Sequence, residues 1–149
     1  MDATLTAKIL DLLHRHHTMT LATVRPDGYP QATTVNYVHD DDLNLYFATD
    51  AVSQKAGNIK LNNKVSAAIA SETQNSYKLR GLSMSGTAKR VVDKEQAEEL
   101  AMLLFRALPQ TKRYVPVDRK QLAIYKITPV AISLIDYSSG FGKSYLVEL

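Results

Sequence analysis

The stretch Tyr46-Phe47-Ala48-Thr49-Asp50-Ala51-Val52-Ser53-Gln54-Lys55 decides how the chain is read. A buried-type strand ends at Thr49. A helix begins shortly after, with Ser53 as its cap, and runs to about Leu61. The first turn of a helix presents unpaired N–H groups and a partial positive charge, and together these favour an anion. Two hydroxyls, Thr49 and Ser53, and one cation, Lys55, converge on that turn, a chemistry that fits a phosphate monoester. The local reading of the same residues is that Ser53 only caps its own helix and Lys55 is solvated.

Upstream, the hydrophobic period changes from helical to alternating. Leu5, Ile9, Leu12 and Leu13 form one helical stripe with Thr4 as the predicted N-cap, and His14, His16 and His17 close it. No carboxylate is spaced to make a metal site with these histidines, so they read as residues of a helix C-terminus. Thr18 to Val24 then alternates as a strand, and Pro26-Asp27-Gly28 supplies a turn. A second strand is predicted from Gln31 to Val38, and a third from Leu43 to Ala48 with Leu43, Leu45 and Phe47 on one face. Asp40-Asp41-Asp42 between them lacks the glycine and closing glutamate of a calcium loop, and reads as a polar turn.

Downstream, Val65 to Ser71 and Leu79 to Val92 read as strands, the latter containing Gly81 and Gly86. Glycines inside a strand mark a bulge, a bend or a close approach to a ligand. Asp93 opens a helix striped by Ala97, Leu100, Ala101, Leu104 and Leu108 and stopped by Pro109. Leu122 to Thr128 and Ala131 to Asp136 are predicted as two strand segments around Pro129. Tyr137 to Lys143 reads as a glycine-hinged lid or, more simply, as a turn before a terminal strand, Tyr145 to Glu148. Six or seven antiparallel strands with flanking helices imply a mainly β fold, a closed or nearly closed barrel, because closure removes exposed edges. No linker divides residues 1–149, which read as a single domain.

Composition narrows the function. A chain of 149 residues buries about 68–70% of its unfolded surface and needs no disulfide to hold a core. With no cysteine, thiol nucleophiles and thiolate metal sites are excluded. No apolar run reaches the roughly 18 residues of a membrane helix. Asp2, Lys8 and Asp11 interrupt the N-terminal apolar pattern, so a cytoplasmic protein is expected, with no membrane partner. The net charge of +3 is uneven, with Arg106, Lys112, Arg113, Arg119, Lys120 and Lys126 in one late stretch. Only Tyr114 and Tyr125 accompany them, too little aromatic interleaving for a nucleic-acid surface, and no nucleic-acid partner is expected. The G-x-S-x-G, Walker, G-x-G-x-x-G and H-E-x-x-H patterns are all missing, so no catalytic side chain is assigned and no metal site is expected. Any redox chemistry is then expected to come from a bound cofactor.

Thr49, Ser53, Lys55, Asn58 and Ile59, in the pattern Thr-x-x-x-Ser-x-Lys-x-x-Asn-Ile, resemble a motif of the pyridoxamine 5′-phosphate oxidase-like family of FMN-binding split β-barrels. Leu21-Ala22-Thr23-Val24 with Pro26-Asp27-Gly28-Tyr29-Pro30 is similar to that family's first hairpin. Leu79-Arg80-Gly81 and Gly86-Thr87-Ala88 are similar to its later barrel strand. The true oxidases carry an arginine, a lysine and a glutamine about where this chain has Thr33, Val38 and Gly81, so the chain resembles the smaller stress-protein-like members.

The resemblance implies a fold, a cofactor and a set of contacts. It implies a six- to seven-stranded antiparallel split barrel with FMN as cofactor. The phosphate would sit at Thr49, Ser53, Gln54 and Lys55, and the flavin ring along Thr33, Thr34, Val35 and Asn36. It implies a homodimer with flavin at the subunit interface, to which Arg80 and the Tyr137 to Phe141 stretch are candidate contributions from the second subunit. The implied activity is that of an oxidoreductase moving hydride or electrons between a reduced small-molecule donor and a small acceptor. The alternative is a non-catalytic flavin- or heme-binding protein on the same scaffold, serving storage, sensing or stress protection.

Overall fold

A computed structural model of the chain describes residues 1–107 and 121–149. Lys112, Arg113, Tyr114, Arg119 and Lys120 of the basic stretch, with Leu108 and Pro109 at the predicted helix end, lie outside the described residues. The first helix, α1 (Ala3–Arg15), is capped by Asp2 rather than Thr4. The Asp2 carboxylate accepts the Thr4 N–H at 3.0 Å, and a carboxylate serves a helix N-terminus better than a hydroxyl because it also meets the dipole. Ile9, Leu12 and Leu13 bury the predicted stripe.

The strands β1 (Thr18–Val24) and β2 (Pro30–Asn36) form the first hairpin, with Gly28 at φ 87° in its turn. The predicted second strand breaks at Tyr37. Its side chain turns inward, where its hydroxyl donates to the Leu13 carbonyl at 2.8 Å and burial pushes its pKa up. Beyond it, β3 (Val38–His39) changes partner and pairs with β4 (Leu45–Asp50). Leu43 is buried as expected but sits in the intervening turn at φ 67°, so the strand begins two residues later than its pattern suggests.

The remaining elements are α2 (Gln54–Leu61), β5 (Lys64–Ala70), β6 (Arg80–Arg90), α3 (Lys94–Ala107), β7 (Leu122–Asp136) and β8 (Ser144–Glu148). The strands make one antiparallel sheet in the order β2-β1-β5-β6-β7-β4-β3, with β8 also on β7. The two ends of this order are joined through Tyr37, and β2 packs beside β4, so the sheet curls into a split barrel. Its interior holds Leu21, Phe47, Ile69, Met84, Ile127 and Ile132, with the Phe47 and Tyr125 rings stacked at 5.4 Å. A second, smaller cluster packs Leu100 and Leu104 of α3 on Tyr46 and Ile124. No helix among the described residues is long and apolar enough to cross a membrane.

Two predicted segments around Pro129 are one continuous strand, β7. β4 pairs with it up to Ile127, β8 from Ala131, and the proline falls in the gap between them. There its missing N–H costs no ladder bond on that side. On the other side of β7 the register with β6 shifts between Ser85 and Gly86, which is the bulge that a strand glycine announced. Gly81 and Gly86 each lie close against a neighbouring strand. A Cβ on Gly86 would stand 2.6 Å from the Thr128 carbonyl oxygen, and one on Gly81 2.7 Å from that of Ile69.

Candidate functional site

The β4–α2 corner is built by a chain of local hydrogen bonds. Asp50 folds the connection over itself: its carbonyl accepts the Ser53 N–H at 3.0 Å and its carboxylate accepts the Val52 N–H at 3.0 Å. That places Ser53 as the N-cap of α2, its Oγ accepting the Ala56 N–H at 3.2 Å. Thr49, at the end of β4, brings its Oγ1 to 3.0 Å from Ser53 Oγ. One hydrogen serves that contact, so whichever hydroxyl donates, the other keeps its O–H hydrogen for a ligand.

The backbone adds to this. Gly57 N–H bonds to the Ser53 carbonyl and Ala56 N–H to its hydroxyl, which leaves the amides of Gln54 and Lys55 without partners among the described residues. Lys55 is half-buried and makes no ion pair among the described residues. The corner therefore offers one hydroxyl hydrogen and two backbone amides, with Lys55 on the same helical turn and the Asp50 carboxylate alongside, turned onto the Val52 N–H. Free N–H and O–H donors at a helix N-terminus are the chemistry a phosphate dianion requires, so these residues fit a phosphate.

Asn58 fixes the corner against the sheet. It is fully buried, and its Nδ2 donates to Thr23 Oγ1 at 3.0 Å and to Gln31 Oε1 at 3.1 Å, while its Oδ1 accepts from Gln54 Nε2 at 2.9 Å. The amide thus pins α2 to β1 and β2 together. Thr23 and Gln31 were not singled out from the sequence, and Asn58 was noted only as part of a pattern. The signal available was an amide four residues after Gln54, on the same helical face, and it does not say what the amide reaches.

Beyond Gln31 the edge strand β2 carries Thr33, Thr34, Val35 and Asn36. Among the described residues it pairs only with β1, which leaves one edge of its backbone without sheet bonds to them. Thr34 faces solvent, whereas Thr33 and Val35 share the inward face with Gln31. Val35 packs on the core, and Thr33 Oγ1 is buried with no hydrogen-bond partner among the described residues. A buried unpartnered hydroxyl is rare and costs about 1–3 kcal/mol. It lies on the strand that Asn58 ties, through Gln31, to the phosphate-type corner.

Arg80 does not join this group within the chain. The register pairs Asp50 with Leu122 at one end of β7 and Arg80 with Asp136 at the other. Arg80 Nε is 3.6 Å from the Asp136 carboxylate, whose pKa is lowered chiefly by the Ser138 hydroxyl and further by the Ser138 amide, Arg80 and Lys8, against partial burial. At the polar turn, the Asp40 carboxylate accepts from the amides of Asp42 and Asn44, from Asn44 Nδ2 and from Tyr46 Oη. Among the described residues no three His, Cys, Asp or Glu side chains gather to hold a metal.

A family model described as pyridoxamine 5′-phosphate oxidase matches residues 5–136. No curated protein sequence matches the chain. A heme binding protein from Mycobacterium smegmatis has a similar structure at TM-score 0.80 and 17% identity, over 99% of this chain and 59% of that longer one. The General Stress Protein 26 of Bacillus anthracis gives TM-score 0.74 and 24% identity over 97% of this chain and 98% of its own. A heme storage protein from Vibrio cholerae gives TM-score 0.69 and 16% identity over 83% and 88%. At such identities the three structures speak to the fold. The family match runs from α1 to the end of β7 and takes in β2, the β4–α2 corner and Asn58. The chain belongs to the pyridoxamine 5′-phosphate oxidase family, built as a split β-barrel.

Proposed function

We propose that the protein is an FMN-binding oxidoreductase, working as a homodimer and passing hydride or electrons from a reduced small-molecule donor to a small acceptor. The observation that carries the reading is the set of free donors at the β4–α2 corner built by Thr49, Ser53, Gln54 and Lys55. Lys55 and the α2 amides hold the phosphate, and the spare hydroxyl of the Thr49–Ser53 pair completes its shell. The β2 edge, from Thr33 to Asn36, would hold the ring, chiefly through backbone groups. FMN, when bound, supplies the redox chemistry through its ring system. The chain's own part is to anchor, orient and shield, and no side chain is assigned as acid or base. Arg80, at the far end of β7, enters a site of this kind only from a second copy.

The absorbance spectrum tests the proposal. Protein mixed with FMN and freed of excess should keep one flavin per chain, with bands near about 370 and 450 nm. Reduction followed by reoxidation with a small acceptor should then show turnover. Protein that retains no FMN overturns the reading.

A second reading, a flavin or heme carrier without turnover, is favoured by one contact. The rings of His14 and His39 meet edge to face at 6.3 Å, on a fold shared with a heme binding protein. A Soret band on heme addition that disappears in His39→Ala would select this reading, as would flavin that binds without cycling.

A further inference from the structure

We infer, on the reading of the β4–α2 corner as a phosphate site, that Gln31 is a positioning residue: acting through Asn58, it makes the placement of the β2 edge depend on what that corner holds. Asn58 of α2 is fully buried, and its side-chain amide uses both hydrogens, on Thr23 Oγ1 of β1 at 3.0 Å and on Gln31 Oε1 of β2 at 3.1 Å. Its Oδ1 accepts from Gln54 Nε2 at 2.9 Å. Gln54 is the first residue of α2, and its backbone amide has no partner among the described residues. Two side-chain hydrogen bonds therefore connect a residue that would touch phosphate to the strand that would carry the ring.

The two strands that Asn58 reaches are held differently. β1 lies inside the sheet, paired with β2 on one side and β5 on the other, and α2 packs directly on it. β2 is an edge strand, and among the described residues the Asn58–Gln31 contact is its one hydrogen bond to α2. A strand bonded on one side opens more readily than a central one, so a single buried contact can bias where it sits. That contact resists opening, because the Asn58 amide is out of reach of water and would lose a partner it cannot replace. Hydrogen bonds in series also polarise one another in a low-dielectric interior, so fixing Gln54 strengthens the hold on Gln31. Gln31 shares the inward face of β2 with Thr33 and Val35, and moving it carries the backbone of residues 33–36 along. Thr23 has no such leverage, since β1 is fixed from both sides.

Amide hydrogen exchange of the full chain, followed by NMR with and without saturating inorganic phosphate, is the test. Phosphate should slow the amides of Gln54 and Lys55 and, in the same titration, exchange along residues 31–36, each by about fivefold or more, the lower end of ordinary coupling between sites. Gln31→Met keeps the length of the side chain and removes the acceptor, so it should keep the response on α2 and lose it on β2. Gln31→Glu retains an acceptor for Asn58 and should retain both responses. Thr23→Val removes the other acceptor, and its lower stability should come with a β2 that still responds. In titrations, Gln31→Met should bind inorganic phosphate as the wild type does and FMN about fivefold more weakly. A β2 strand that ignores phosphate while α2 responds overturns the coupling and leaves the phosphate site standing. So does a Gln31→Met chain that behaves as the wild type, or a Gln31→Glu chain that behaves as Gln31→Met. An α2 that ignores phosphate overturns the phosphate reading and the coupling with it.

Discussion

At the scale of single residues, the proposed function divides the candidate site into a group that would meet the ligand and a group that holds the corner in place. Lys55 belongs to the first. It has no carboxylate partner among the described residues, so replacing it removes ligand contacts and little else. Lys55→Ala should weaken FMN binding by about 1.5–3 kcal/mol, the scale of a charge-assisted hydrogen bond, with the unfolding midpoint of the ligand-free protein unchanged. A fluorescence titration of both proteins measures it, and equal affinities would remove Lys55 from the phosphate. Asn58 belongs to the second group and has the opposite signature. Asn58→Ala strands buried Thr23 and frees Gln54 and Gln31, so the ligand-free protein should lose about 1–3 kcal/mol in urea denaturation. The two residues also differ in how far the sequence reveals them. Lys55 follows a helix cap, and its role as an anion contact is local. Asn58 acts on Thr23, 35 residues away, a pairing decided by how α2 is laid on the sheet.

At the scale of elements, glycines separate packing from propensity. Gly86 sits where β6 bulges against β7, and an added Cβ would meet the Thr128 carbonyl at 2.6 Å and Ile127 Cγ2 at 2.8 Å. Gly57 lies exposed on α2 with nothing within 4 Å of such a Cβ. Gly86→Ala should therefore cost about 1–3 kcal/mol through overpacking, while Gly57→Ala should stabilise by about 0.4–1 kcal/mol. Thermal melts of the two variants should move in opposite directions; a shared direction would refute the contact geometry at the bulge. The same elements show what was legible beforehand. The hairpin turn at Gly28, the Ser53 cap and the apolar stripe of α3 are properties of neighbouring residues, and each was readable. The continuity of β7 through Pro129 was not, because it depends on β4 ending and β8 beginning on either side of that residue. The break at Tyr37 was hidden for a similar reason, since the ring leaves the strand to reach the Leu13 carbonyl of α1.

At the scale of the whole molecule, the barrel carries two cores of unequal size, and the polar turn at Asp40 touches the smaller one. Tyr46 packs with Leu100 and Leu104 of α3 while its hydroxyl donates to Asp40 Oδ2 at 2.8 Å. This contact makes stability depend on pH at both extremes. Burial pushes the Tyr46 hydroxyl up to about 12 from 10.0, helped by its bond to Asp40 and by the charges of Asp40 and Asp42. A raised folded pKa gives stability that is complete below pH 10 and is lost as pH rises towards about 12. At Asp40 burial acts upwards too, but the bonds from Asn44, Tyr46 and the Asp42 amide outweigh it and leave the carboxyl below its ordinary value. Its contribution is present at neutral pH and is lost as pH falls through the folded pKa. Tyr46→Phe removes the alkaline titration and relaxes the acid one, at a cost of about 1 kcal/mol near neutrality for the missing hydrogen bond. Urea midpoints at pH 8 and pH 11 decide the matter. The wild-type chain should lose more between them than Tyr46→Phe does, since both share every other titrating group. Equal losses would mean that the hydroxyl does not hold its proton for Asp40.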